Sequence, residues 1–220
     1  MTAHKLALLA QPWWVNLLIL VPLVLYLAAR RGGMCLSRQT LLGTGLFAVA
    51  FGYVEAAVVV YIRASIGLLP GFQGTLADVR RLSAVLYRQP IAEIQMSPAL
   101  AHIEVLREAA TIVMLVSVAI VAGRSRIERC AAFLWCFALW DIMYYVGLWA
   151  TVRWPYSLLA PDVLFLIPVP WVSQVWFPLL VSALTAVAVV ITRQEHADAV
   201  DGAPRSHQDT RNAVTRSGVV

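Results

Sequence analysis

The chain has 220 residues, of which 60% are hydrophobic and 13% are charged, and its formal charge is +5. Because average soluble domains carry about 25% charged residues, this composition excludes an ordinary soluble domain. The positive charge comes from arginines beside long apolar runs, and no nucleic-acid-binding motif accompanies them, so we expect no nucleic-acid partner.

The apolar residues lie in runs long enough to cross the hydrocarbon core of a bilayer. Without water to satisfy the backbone, such runs must form helices or a closed barrel. Barrel strands alternate apolar and polar residues, and no ten-residue stretch of this sequence does so. The sequence therefore predicts an all-α, polytopic integral membrane helical bundle that covers residues 1–192.

Five membrane spans are predicted in chain order, at about residues 12–29, 40–62, 105–123, 130–151 and 177–192. The stretch that precedes the last span contains Pro161, Pro168 and Pro170. Proline removes a backbone donor and kinks or ends helices. We therefore expect an interfacial or re-entrant segment there, up to about residue 176.

The longest connection, residues 63–104, is predicted to lie on the outer side. Apolar residues recur in it at helical spacing, which indicates a short amphipathic helix on the surface; they are Leu76, Val79, Leu82 and Leu86. Residues 193–220 are polar, mixed in charge and without aromatics. Such a composition is typical of disorder, so we expect a disordered cytoplasmic tail.

Arginines collect in two loops and after the last span, which five crossings place on one side of the membrane. They are Arg30, Arg31, Arg38, Arg124, Arg126, Arg129 and Arg193. Arginine-rich loops are favoured in the cytoplasm. The expected location is the plasma (inner) membrane, with the N-terminus outside and the C-terminus cytoplasmic.

The second span carries a small residue at every fourth position: Thr44, Ala48, Gly52 and Ala56. Small residues let two membrane helices approach closely. This stripe predicts a tight contact between the second span and another helix.

Carboxylates recur in the apolar segments, and the predicted topology places them in the central or outer part of the membrane: Glu55, Glu104, Glu108, Asp141 and Asp162. Charged groups in membrane spans are costly and usually face the bundle interior. Because four different segments contribute, we expect at least three of these acids to share one site. Candidate catalytic residues are Glu55, Glu108, Asp141 and Tyr144, and candidate ligand-binding residues are Glu104, Asp162 and Trp171.

Each acid also has a purely structural interpretation. Glu55 could pair with Arg63, Arg107 or Arg153, which are all predicted on the outer side. Glu104 could interact with the helix dipole, and Asp162 could cap a helix start. Asp141 could bond to a neighbouring tyrosine as part of helix packing.

A metal cofactor has weaker support. The candidate ligands are His102, Glu104 and Glu108, and carboxylates with one histidine suit iron, manganese or zinc. The Glu-x-x-His pair of di-iron carboxylate bundles is absent, however. The spacing here does not place His102 and Glu108 side by side.

Three classes of function fit the sequence. The first is a membrane-embedded enzyme or a binder of a lipid-like or quinone-like molecule, in which a buried carboxylate acts as acid or base. The second is a proton- or cation-coupled transport component, although five spans lack paired inverted halves. The third is a structural or assembly protein. Expected partners are membrane lipids and either further copies of the chain or another membrane protein.

Overall fold

The computed structural model of the chain describes residues 10–66 and 98–201. These residues are mostly helical. After a 3-10 helix at Trp13–Leu20 come α1 (Val21–Gly32), α2 (Arg38–Ile66), α3 (Pro98–Ala122), α4 (Arg126–Val152) and α5 (Trp176–Asp201), with the strands β1 (Pro161–Phe165) and β2 (Trp171–Gln174) between α4 and α5.

Within the described ranges, five helical runs are long and apolar enough to cross a membrane. They are Trp13–Gly32, Arg38–Tyr61, Ala101–Ala122, Arg126–Val152 and Trp176–Arg193, and they coincide with the five predicted spans to within a few residues. Many large apolar side chains point outwards, among them Val121, which is 88% exposed. Soluble proteins rarely expose extended apolar surface, so this surface is compatible with a lipid environment.

The ends of two predicted segments differ from the structure. The helix α3 begins at Pro98, inside the connection predicted for residues 63–104, and α5 continues past residue 192 to Asp201. The predicted amphipathic helix and the tail from residue 202 onwards lie outside the described residues.

The proline-rich segment corrects the all-α prediction, because it forms an antiparallel β-hairpin. Its register pairs Pro161 with Gln174 and Phe165 with Trp171. Two of the prolines lie in the turn between the strands and one begins a strand, positions that tolerate proline. The hairpin also pairs with the N-terminal segment, since Gln11 and Val172 exchange two backbone hydrogen bonds of 2.8 Å.

The helices α2 and α4 pack closely along the small-residue stripe. Ala48 and Ala56 are fully buried, and Gly147 of α4 lies against Ala56. A Cβ atom added to Gly52 would lie 2.5 Å from the carbonyl oxygen of Trp140. The predicted tight contact of the second span is therefore confirmed, and α4 is its partner.

The arginine-bearing loops meet at one end of the bundle, which we call the arginine end. Glu128 ties them together: its carboxylate accepts hydrogen bonds from the backbone N–H groups of Cys35 (3.3 Å), Arg124 (2.8 Å) and Ser125 (3.1 Å). The Arg193 guanidinium donates to the carbonyl of Leu36 at 3.2 Å. The sequence expectation that these arginines share one side is consistent with this geometry.

Two glycines of α2 provide a matched test of the close packing. We expect Gly52→Ala to destabilise the protein by about 1–3 kcal/mol, because the added methyl group overlaps α4. Gly43→Ala should be neutral or stabilising by up to about 1 kcal/mol, because nothing lies within 4 Å of its added Cβ and alanine favours helix. Thermal unfolding in detergent measures both; equal effects would contradict the packing.

Candidate functional site

Arg107 of α3 bridges two buried carboxylates. Its guanidinium forms an ion pair with Glu55 of α2. It also donates to Glu104, one turn earlier on α3, with its Nη2 2.8 Å and its Nε 3.1 Å from Oε2 of the carboxylate. Both glutamates are buried. Because a buried charge needs a hydrogen-bonded partner of opposite sign, Arg107 allows both acids to stay in the bundle.

Glu108, the next acid on α3, binds the hairpin. Its Oε2 accepts the backbone N–H of Leu166 at 2.8 Å. The preceding residue, Phe165, packs its ring against Phe137 and Trp140 of α4, with centroids 6.1 Å from each. The turn of the hairpin is thus attached to α3 by a carboxylate and to α4 by aromatic contacts.

The two aspartates, Asp141 and Asp162, take partners on α5 and α4. Asp141 accepts a hydrogen bond of 2.8 Å from the Ser182 hydroxyl of α5. Asp162 of β1 is 1% exposed and accepts the hydroxyl of Tyr145 at 3.0 Å. These bonds connect α4 to α5 and to the hairpin.

Tyr144 lies between the two groups of acids. Its ring meets that of Tyr145 edge-on, with centroids 5.1 Å apart. It is close enough to Arg107 to interact with it electrostatically, and Tyr145 interacts in the same way with Asp141. We call the acids together with Arg107 and the two tyrosines the carboxylate network: Glu55, Glu104, Glu108, Asp141, Asp162, Arg107, Tyr144 and Tyr145.

The network contains five carboxylates and one guanidinium. Burying like charges together is costly in an apolar medium. Buried acids are stable only when protonated or when a cationic or hydrogen-bond-donating group lies beside them. Chemically, the network can bind such a group or exchange protons with it.

The structure also shows where the remaining predicted site residues lie. His102 is exposed on α3. Trp171 begins β2 and packs edge-on against Trp14 at 5.0 Å and against Phe165 at 5.5 Å. Arg153, a candidate partner of Glu55, instead stacks on Trp149 at 4.7 Å, and the Arg63 side chain lies outside the described part of the structure.

The candidate metal ligands His102, Glu104 and Glu108 do not come together in the described part of the structure. Within residues 10–66 and 98–201, no group of three or more histidine, cysteine, aspartate or glutamate side chains could hold a metal ion. Glu104 is directed to Arg107 and Glu108 to the hairpin backbone, which explains why the two do not converge.

Four participants were not predicted as site residues. Tyr145, which binds Asp162, was considered only as a packing partner of Asp141. Arg107 was only one of several candidate ion-pair partners. Ser182 carried a usable signal, because it is a hydroxyl residue inside an apolar span. The amide of Leu166 carried none, since a backbone donor leaves no trace in a side-chain pattern.

No family model, no curated protein and no solved structure matches this chain. The function must therefore be argued from the geometry of the carboxylate network.

We expect Arg107→Met to destabilise the protein by about 3–5 kcal/mol, because it leaves Glu55 and Glu104 buried without their cation. Adding Glu55→Gln and Glu104→Gln to that variant should recover much of the loss. The control is Arg153→Met, which removes an exposed arginine at the C-terminal end of α4. It should destabilise the protein far less than Arg107→Met. Thermal unfolding in detergent reports all three; a triple variant less stable than Arg107→Met would contradict the ion-pair assignment.

Proposed function

We propose that this chain is a multi-pass membrane protein that binds a small lipid-like molecule at its carboxylate network. The observation that carries the proposal is that buried acids from four segments take partners inside the bundle: Glu55 and Glu104 pair with Arg107, while Glu108, Asp141 and Asp162 accept hydrogen bonds from other segments. Intramembrane acids are costly to keep and usually serve a ligand or proton pathway. Five long apolar helices with exposed apolar side chains support the membrane location.

The proposed orientation follows from the arginine end. Arginine-rich loops are retained in the cytoplasm, so that end would face the cytoplasm and the N-terminus would lie outside. The hairpin and Glu108 would then lie in the outer half of the plasma membrane. A ligand would reach the network from the bilayer or from the outer side.

If binding leads to a reaction, the acids differ in their suitability as acid–base groups. Glu55 is engaged by Arg107, so it is poorly placed to exchange a proton. Asp141 and Glu108 accept hydrogen bonds only from a neutral hydroxyl and a backbone amide in the contacts described above. They are therefore the candidate acid–base residues, with Tyr144 as a donor beside them.

A structural role is the second candidate, and one observation favours it. Each of the five acids has a hydrogen-bond or ion-pair partner within the chain. In that case the network would hold α2, α3, α5 and the hairpin together without a ligand.

Proton- or cation-coupled transport receives less support. The buried hydroxyls of Thr185 and Thr192, further along α5, donate to carbonyls of their own helix at 2.7 and 2.6 Å. Ser117 of α3 does the same at 2.8 Å and is exposed. These groups do not extend the network towards the arginine end.

Carboxylate-to-amide variants separate ligand binding from a structural role. We expect a small molecule to co-purify with the wild-type protein, and to be depleted in Glu108→Gln and Asp141→Asn, because both variants remove charge from the network. Mass spectrometry of extracts from the detergent-purified protein measures this. Glu128→Gln, the same change at the arginine end, should retain the molecule. Absence of any bound molecule, or equal retention in all variants, would favour the structural role.

The orientation can be tested with the cysteines that the chain already carries. Cys35 and Cys130 are exposed at the arginine end. A membrane-impermeant maleimide should label them in inverted vesicles but not in intact cells. A Trp13→Cys variant that lacks the native thiols should behave oppositely, since Trp13 is 71% exposed near the other end. Labelling of Cys35 in intact cells would contradict the orientation.

A further inference from the structure

Two tryptophans, one buried and one half-buried, have no hydrogen-bond partner for their indole nitrogen in the described structure. They are Trp140 of α4 and Trp171 of β2, whose Nε1 atoms are both inaccessible and unpaired in the described structure. Trp140 is only 6% exposed. An indole N–H is a donor only, and buried polar groups in folded proteins are nearly always paired. Two unpaired indoles in one molecule therefore require an explanation.

Both indoles lie against the same ring. The ring of Phe165 is 6.1 Å from that of Trp140 and 5.5 Å from that of Trp171, centroid to centroid. Phe137 packs on both Phe165 and Trp140, and Trp14 meets Trp171 edge-on. The two donors thus share an aromatic cluster between α4 and the hairpin.

The carboxylate network does not satisfy these donors. Although Asp141 follows Trp140 in sequence, adjacent helical residues point about 100° apart, and Asp141 is bonded to Ser182 of α5. Glu108 lies near the hairpin turn but accepts the amide of Leu166. The missing partner is therefore an acceptor that the described chain does not supply.

We propose that Trp140 and Trp171 bind a flat, membrane-soluble molecule with carbonyl oxygens, of the quinone type, against Phe165. Carbonyl oxygens accept from indole N–H groups, and a planar ring stacks favourably among aromatic side chains. This proposal rests on the proposed function and names the chemical class of the ligand.

The position of the cluster fits a ligand that comes from the bilayer. Phe165 and Trp171 flank the hairpin turn, and residues 168–170 of that turn are exposed. The adjoining residue of the turn, Leu166, is bonded to Glu108 of the network. A ring held at Phe165 therefore lies next to Glu108 of the carboxylate network. One molecule can then contact the aromatic cluster and the network together.

The test is equilibrium dialysis of a short-chain benzoquinone, and of an alkylbenzene with the same chain, against the detergent-purified full-length protein. We expect the quinone to bind saturably and more tightly than the alkylbenzene. Trp140→Phe and Trp171→Phe keep an aromatic ring but remove the N–H, so each should weaken quinone binding about three- to tenfold, the value of one hydrogen bond. Trp13→Phe, at an exposed position, should leave it unchanged.

A second measurement uses the unaltered protein, in case a variant does not fold. Adding the quinone should shift the indole N–H marker of the ultraviolet resonance Raman spectrum in the direction of stronger hydrogen bonding. Quinone binding no tighter than that of the alkylbenzene, unchanged binding in both variants, an unshifted marker, or displacement of the quinone by a diacyl lipid at equal concentration would overturn the proposal. If a different molecule co-purifies and depends on Glu108 and Asp141, only the ligand class fails; if nothing co-purifies, the proposed function fails as well.

Discussion

The arrangement of α2 and α3 depends on how the half-buried guanidinium of Arg107 is neutralised. The helix α2 packs mainly on α4, and α3 also packs mainly on α4, whereas α2 and α3 touch each other little. The ion pair between Arg107 and Glu55 is therefore the principal tie between these two helices. Glu104 completes the neutralisation from within α3. Rotation of either helix would leave a charge unpaired inside the bundle.

At both ends of the bundle, a glutamate carboxylate holds a loop by accepting hydrogen bonds from its backbone amides. At the arginine end, Glu128 binds the amides of two loops. At the opposite end, Glu108 binds an amide of the hairpin turn. Backbone N–H groups in irregular segments have no helical partner, and an unsatisfied one is costly in an apolar environment. A carboxylate that reaches from a neighbouring helix supplies the acceptor, so part of the acidity of this chain follows from its loops.

The features predictable from the sequence were those with a long or regular pattern. Apolar runs indicated the five helices, the stripe around Gly52 indicated a close helix contact, and arginine positions indicated a common end. The hairpin was not predictable, because its pairing depends on contacts distant in sequence. The run from Val163 to Trp171 is continuously apolar apart from its prolines, so it shows no alternation, and the pairing with Gln11 joins residues about 160 positions apart.

The carboxylates of the candidate site could be picked out from the sequence, but their partners could not. An acidic residue stands out in an apolar stretch of sequence, and Asp141 and Asp162 could be recognised in this way. Which partner each acid takes depends on the rotation of each helix, and that rotation is set by packing. Arg107 was therefore indistinguishable from Arg63 and Arg153 on sequence grounds. For the same reason, nearness in sequence did not bring the candidate metal ligands His102, Glu104 and Glu108 together among the described residues.

A structural role and a ligand-binding role make different demands on the unsatisfied groups. A network that only held helices together would be most stable if acids and cations were equal in number and every buried donor had an acceptor. In the described structure Arg107 pairs with two acids, Glu55 and Glu104, while the indoles of Trp140 and Trp171, in the adjoining aromatic cluster, lack acceptors. Because the acids are bonded elsewhere, they do not remedy that lack. A ligand with its own acceptor atoms at the aromatic cluster would satisfy both indoles, and this is the argument for the proposed ligand-binding role over a purely structural one.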